Sequence, residues 1–171
     1  MSILLDLDSY PFILQGFPRG PKTEAEIAAL FDEMAIVGRR AVESGALHVV
    51  IALGDENFTA AERRVIANRM ARAPADQAAR VIGAFAVIES TIARGVLTAI
   101  KWLAPRVIPV VAAATPDEAI DLAEACLEAQ GVIPALAIIE RARIRARRLH
   151  AEMRSTPEAG TSPWKGRTGS Q

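Results

Sequence analysis

The sequence predicts an α/β fold built on a mostly parallel central sheet. Two observations carry this. Three short apolar runs, Leu47 to Leu53, Val81 to Ile88 and Val107 to Ala113, are bounded by turn-forming residues, and each is followed by a Ser or Thr helix-start signal. Continuous apolar runs of this length suit strands buried on both faces, and strand–helix units in succession imply right-handed parallel crossovers. The composition agrees. With 171 residues, 51% of them hydrophobic and 23% charged, the chain is long enough to bury ~70% of its unfolded surface in a single core. Disordered, collagenous and disulfide-framework classes are excluded.

Taken in order, Ile3 to Leu7 and Phe12 to Phe17 flank the turn-former Asp8-Ser9-Tyr10-Pro11 and read as an N-terminal β-hairpin. Thr23-Glu24-Ala25-Glu26 is a capping box, in which threonine hydroxyl and glutamate carboxylate satisfy each other's free backbone amides. The helix it opens turns Ile27, Leu30, Phe31, Met34 and Val37 inward and stops at Gly45. After the first buried strand, Thr59-Ala60-Ala61-Glu62 is a second capping box, starting a helix with Val65, Ile66 and Met70 inward and Pro74 as its limit. Residues 75 to 80 connect it to the second strand. Ser90 caps a third helix, with Ala93, Val96, Leu97, Ile100 and Leu103 inward, closed by Pro105. The last strand contains Pro109, which cannot donate to a ladder, and so belongs at a sheet edge. Thr115-Pro116-Asp117-Glu118 joins an N-cap, a proline at the first helical position and a closing glutamate, and its helix runs to Gly131. Pro134 opens a further helix reaching about Met153, and from Ser155 the Pro-, Gly-, Ser- and Thr-rich composition predicts a disordered tail. The expected organisation is therefore an α/β domain over 1–131, a basic helix over 132–154 and a tail over 155–171.

Acids and bases balance at 20 each, which gives no general affinity for nucleic acid or membranes. The balance is uneven along the chain. Residues 1 to 139 hold 17 acids and 12 bases, net −5, and residues 140 to 171 hold three acids and eight bases, net +5, so a basic end follows an acidic body. Cys126 has no partner for a disulfide, and Met1 to Asp8 lacks the cationic start and apolar run of an export signal, so the expected setting is the cytoplasm. Glu89, Arg94 and Lys101 interrupt the most apolar window, each costing ~2.5 kcal/mol or more near a bilayer centre. No transmembrane segment is expected.

In open α/β sheets, ligands gather at the carboxyl ends of the parallel strands, beside helix N-termini. That edge collects Asp55, Thr59, Ser90, Thr91, Arg94 and Thr115, a candidate ligand-binding or phospho-regulated edge, although Ser90 and Thr115 also serve as helix caps. The other candidate surface is the last helix, where Arg141, Arg145 and Arg148 stand on neighbouring positions at helical spacing. They could meet anionic lipid, an acidic protein or the acidic surface of a second subunit, and a charged helix also serves simply as a solvated face. Nucleic acid is disfavoured, because no aromatic residue interleaves with the arginines. No catalytic residue, metal site or cofactor site is expected: Ser90 and Thr59 have no histidine or lysine placed to activate them, and His48 and His150 lie on unrelated elements. His48, in a strand with no second ligand nearby, reads as a packed residue. Gly16 to Lys22 lacks the spacing and ending of a phosphate-binding loop.

The element order, together with Ser90-Thr91-Ile92-Ala93-Arg94-Gly95-Val96-Leu97-Thr98-Ala99-Ile100-Lys101-Trp102-Leu103, resembles the STAS superfamily (sulphate transporter and anti-sigma-factor antagonist). Within it, the resemblance is to small bacterial STAS/SEC14-like members, over roughly residues 1 to 130. It implies a STAS-like sandwich and a non-enzymatic domain that recognises another protein, sometimes under phosphorylation at the start of the helix after a central strand. The matching place here is Gly54 to Thr59. Signalling members carry an Asp-Ser-Ser/Thr-Gly pattern there, and this chain carries Asp55-Glu56-Asn57-Phe58-Thr59. A phosphate on Thr59 would gain from the helix N-terminus, be opposed by Asp55 and Glu56, and need an arginine such as Arg63 or Arg94. The expected function is a protein-interaction or regulatory module, with a protein partner or a homo-oligomer. The alternative is a carrier of a small anionic or lipid ligand in a pocket between sheet and helices.

Overall fold

A computed structural model describes residues 2–54, 58–89 and 110–155. They form an α/β fold whose five-stranded sheet runs β1 (Leu4–Asp6), β2 (Phe12–Phe17), β3 (His48–Gly54), β4 (Val81–Val87) and β5 (Val110–Ala113), in chain order across the sheet. The first pair is antiparallel, with Leu5 opposite Gln15, and makes the expected hairpin. The remaining pairs are parallel, with Leu14 opposite Ile51, Ile51 opposite Phe85 and Phe85 opposite Val111. β5 stands at one edge of the described sheet; Pro109, on which the edge expectation rested, lies outside the described residues.

The helices start where capping chemistry places them. At the head of α1 (Glu24–Ser44), Thr23 Oγ1 accepts from Glu26 N–H at 3.2 Å and the Glu26 carboxylate accepts from Thr23 N–H at 2.8 Å. Gly45 ends the helix in the left-handed conformation at φ 73°. Thr59 caps α2 (Ala60–Ala71) with a second complete box. The interior of α2 differs from expectation, because Val65, Ile66 and Met70 are only half-buried and the buried residue is Glu62. A short helix, α3 (Ala75–Ala78), occupies the connector to β4. The helix expected from Ser90 lies outside the described residues, as does the tail from 156 onward. At α4 (Pro116–Ala129), Thr115 Oγ1 accepts from Glu118 N–H at 3.1 Å, but the glutamate reaches one residue further back, accepting from Ala114 N–H at 2.6 Å. The chain then turns at Gly131 and enters α5 (Leu136–Ser155).

The strand order dictates the layers. Every parallel crossover advances by one strand in the same direction, and right-handed crossovers then put the described connecting helices, α1 to α3, on one face of the sheet. The opposite face has to be covered by chain that follows β5. α4 and α5 do this, packing on each other and on β2, β3 and β4. Phe12, Leu14, Val49, Ile51, Leu53, Phe85 and Val87 form one core with Ile120, Leu127, Ile139, Leu149 and Met153. Ile13, between two of those strand residues, is buried outside that core, as are Ile27, Leu30, Val37 and Ala41 of α1.

The basic helix is therefore part of the packed body rather than an appendage to it. Ala142 and Ala146, both fully buried, let α5 approach the sheet closely, and Gly16 in β2 leaves space for it: a Cβ there would stand 2.8 Å from Leu149 Cδ1. Burying Ile139, Leu149 and Met153 contributes roughly 5 to 9 kcal/mol gross, comparable with the whole net stability of an ordinary domain. Its arginines reach down to acids on neighbouring elements. Arg143 pairs with Asp121 at 2.6 Å, and Arg147 with Asp117 at 2.8 Å.

Candidate functional site

β2, β3 and β4 deliver Phe17, Gly54 and Glu89 to the carboxyl edge of the sheet, and α5 crosses beneath them. Gly54 has φ +106°, and a Cβ there would lie 2.3 Å from the Phe17 carbonyl oxygen and 2.6 Å from Met153 Cβ. Only glycine fits. Its N–H points at α5 and donates to His150 Nδ1 at 3.1 Å. Because Nδ1 accepts, the ring proton sits on Nε2, which donates to Glu89 Oε1 at 3.1 Å. One turn on, Arg154 pairs with the other oxygen, Glu89 Oε2. The His150 hydrogen bond, with further help from Arg154, holds the Glu89 carboxyl below the usual carboxylate range against the opposing effect of burial. A main-chain amide, a buried imidazole, a half-exposed carboxylate and a guanidinium thus form one continuous chain of hydrogen bonds.

A second cluster lies beside it. Phe58 meets Phe17 edge-on, with ring centroids 5.1 Å apart, and Lys22 Nζ stands 4.9 Å above the Phe58 ring. Glu62 is 4% exposed and accepts from Lys22 N–H and from Thr59 N–H. Burial alone would raise its carboxyl; the hydrogen bonds from Lys22 and Thr59, and the Lys22 charge, outweigh it and leave Glu62 below its ordinary value. Thr59 itself is committed to capping, since its Oγ1 accepts from Glu62 N–H at 3.2 Å. Arg63, a sequence candidate to meet a phosphate there, donates from Nη1 to the Phe58 carbonyl at 2.5 Å.

Of the six residues predicted for this edge, the described part of the structure holds Thr59 and Thr115, both helix caps. Asp55, Ser90, Thr91 and Arg94 lie outside it. On α5, Arg145 spans Asp6 at 2.5 Å and Asp8 at 2.9 Å, tying the helix to β1 and the turn after it. Arg141 donates to the Asp8 carbonyl at 3.2 Å. Arg148 is exposed and, among the described residues, has no hydrogen bond or ion pair. Ile144 on the same helix is 63% exposed, and at its start and in the approach to it Leu136 is 72% and Ile133 81% exposed.

Sequence reasoning missed Glu89 and His150 as a pair. One signal existed: position 150 falls on the same helical face as Ala142, Ala146, Leu149 and Met153, so the histidine had to point inward. Its partner, 61 residues earlier, carried none. The other histidine, His48, stands at the amino end of β3. It is fully buried, with neither ring nitrogen hydrogen-bonded within the described structure, and lies 6.1 Å from the Tyr10 ring centroid to centroid. Ser9 Oγ is likewise buried without a partner among the described residues.

Between β1 and α1, a groove of about 320 Å³ is lined by Ile3, Leu5, Ala25, Ala29 and Leu30, with Glu26 and Glu33 beside them. Among the described residues, no group of three or more His, Cys, Asp or Glu is placed to hold a metal ion, and no helix is long and apolar enough to cross a membrane. Compared with known protein families, curated proteins and solved structures, the chain finds no match.

Proposed function

We propose that the chain is a non-enzymatic protein-interaction or regulatory module of STAS-like type, acting through the outer face of α5. The observation that carries this reading is the exposure of Ile144 and Leu136 on a helix that also presents Arg148 to solvent without a partner among the described residues. Exposed apolar side chains on the same helix as an arginine without a partner among the described residues suit a protein contact, where a buried apolar centre is combined with arginine. The hairpin followed by parallel strand–helix units supports the STAS-like part of the reading. The non-enzymatic part is supported by the commitments at the carboxyl edge, where Thr59 and Thr115 cap helices and His150 is occupied by Gly54 and Glu89.

A carrier is the second reading, favoured by the apolar groove between β1 and α1, whose volume reaches the lower range of small-molecule sites. One native mass spectrum of protein purified gently from its own host separates the two. A subunit assembly, or a complex with another polypeptide, supports the interaction module. A stoichiometric small-molecule or lipid adduct lost on substituting Leu5→Glu in the groove overturns it in favour of the carrier.

A further inference from the structure

We propose that the partner of α5 is a second copy of α5, packed antiparallel across a two-fold axis at Ile144. This deepens the interaction-module reading and rests on it. The outer line of the helix is Ala137, Glu140, Arg141, Ile144, Arg148 and Ala151, all exposed. In an antiparallel pair centred on Ile144, each residue faces its mirror position in the partner helix, and the contact is self-complementary. Ile144 meets Ile144, Glu140 meets Arg148 twice, and Ala137 meets Ala151 twice.

Each part of that register agrees with the chemistry on the page. The alanines, set seven residues to either side of the isoleucine, are small enough for two helices to approach around one central apolar anchor. Arg148 has no counter-charge among the described residues, and Glu140 has only a long contact of 3.8 Å to Arg143 in its own helix. Across the axis each supplies what the other lacks. The like-charged mirror pair, Arg141 and Arg147, does not oppose the arrangement, because both are drawn back onto their own subunit, by the Asp8 carbonyl at 3.2 Å and by Asp117 at 2.8 Å. A parallel pair would place Arg148 on Arg148 and Glu140 on Glu140. The charges select the antiparallel one.

A single helix pair buries less than the ~1,200 Å² of a stable complex, so association is weak, with a dissociation constant on the order of 0.1 mM. Sedimentation equilibrium of the full chain from about 10 µM to 1 mM reads it. Glu140→Arg and Arg148→Glu are expected to weaken dimerisation at least about tenfold each, and the double reversal to restore it to within about threefold. In a Cys126→Ser background, Ile144→Cys is expected to form an oxidised dimer with itself, while Ala137→Cys is not, because it faces position 151. All four positions are exposed, so unchanged circular dichroism verifies folding. A wild-type chain that stays monomeric throughout, or a dimer indifferent to both reversals, would overturn the proposal. Either result leaves the broader reading to the other supporting outcome of the mass spectrum, a different polypeptide bound to the subunit.

Discussion

His48→Phe should abolish a specific acid instability while leaving the fold intact. The imidazole is fully buried, neither nitrogen has a partner among the described residues, and burial lowers its pKa from 6.5 to about 4. The folded protein therefore keeps the ring neutral where the unfolded chain protonates it. Unfolding takes up a proton in that window, so stability is complete above the unfolded pKa and falls as pH drops from about 6.5 towards about 4. The loss attributable to this ring is about 1.4 kcal/mol at about pH 5.5 and about 3 kcal/mol near pH 4. Phenylalanine keeps a planar ring beside Tyr10 and removes both nitrogens, so at neutral pH the variant should equal or exceed the wild type by about 1 kcal/mol. Urea denaturation of both proteins at several pH values, followed by circular dichroism, gives the stability difference directly, with the shared carboxylates cancelling. That difference should grow by about 3 kcal/mol between neutral pH and about pH 4. A difference flat in pH refutes the argument. So does a variant more than about 2 kcal/mol less stable at neutral pH, which would mean that the ring nitrogens bond to something in the folded protein.

Three further outcomes are expected. Gly54→Ala should destabilise the fold by about 3 kcal/mol or more in the same denaturation assay, because the left-handed backbone and the Phe17 carbonyl both exclude a Cβ. Glu62→Gln should cost about 1 to 3 kcal/mol, since an amide offers one acceptor oxygen for the main-chain donors of Lys22 and Thr59 and leaves its own N–H groups buried; an unchanged midpoint would contradict it. Glu89→Gln should remove an acid-sensitive increment of stability. The folded carboxyl lies below its ordinary value, so that increment is present above the unfolded pKa and disappears as pH falls through the folded one. In the wild-type protein, nitrogen-15 chemical shifts should report the His150 proton on Nε2; a proton on Nδ1 would break the Gly54 hydrogen bond and the account of the site with it.

Local chemistry was legible and long-range partnership was not. The capping boxes at Thr23 and Thr59, the stop at Gly45 and the hairpin around Asp8 to Pro11 could be read because each depends on residues a few positions apart. The inner face of α2 was misread because its half-buried apolar residues share a helix with Glu62, whose second main-chain donor, beside the legible Thr59 cap, is the distant Lys22 amide. The role of α5 was obscured by its charge. Five arginines between positions 141 and 148 set it apart as a basic helix following the α/β domain, yet the buried stripe of Ile139, Ala142, Ala146, Leu149 and Met153 lies along the same helix, and acids elsewhere neutralise much of the charge. Glu89 and His150 meet only because the sheet end and the last helix converge.

The chain-ordered sheet also has a consequence for synthesis and for truncation. The helices that close the second face of the sheet are made after all five strands. Until α4 and α5 have formed, Phe12, Leu14, Val49, Ile51 and Phe85 have no cover on that side. A nascent chain halted after β5 would display a contiguous apolar surface to whatever surrounds it, and fragments ending before Leu136 should collect in the insoluble fraction. The helix carrying six arginines is thus also the one that shields the apolar face of the sheet from aggregation.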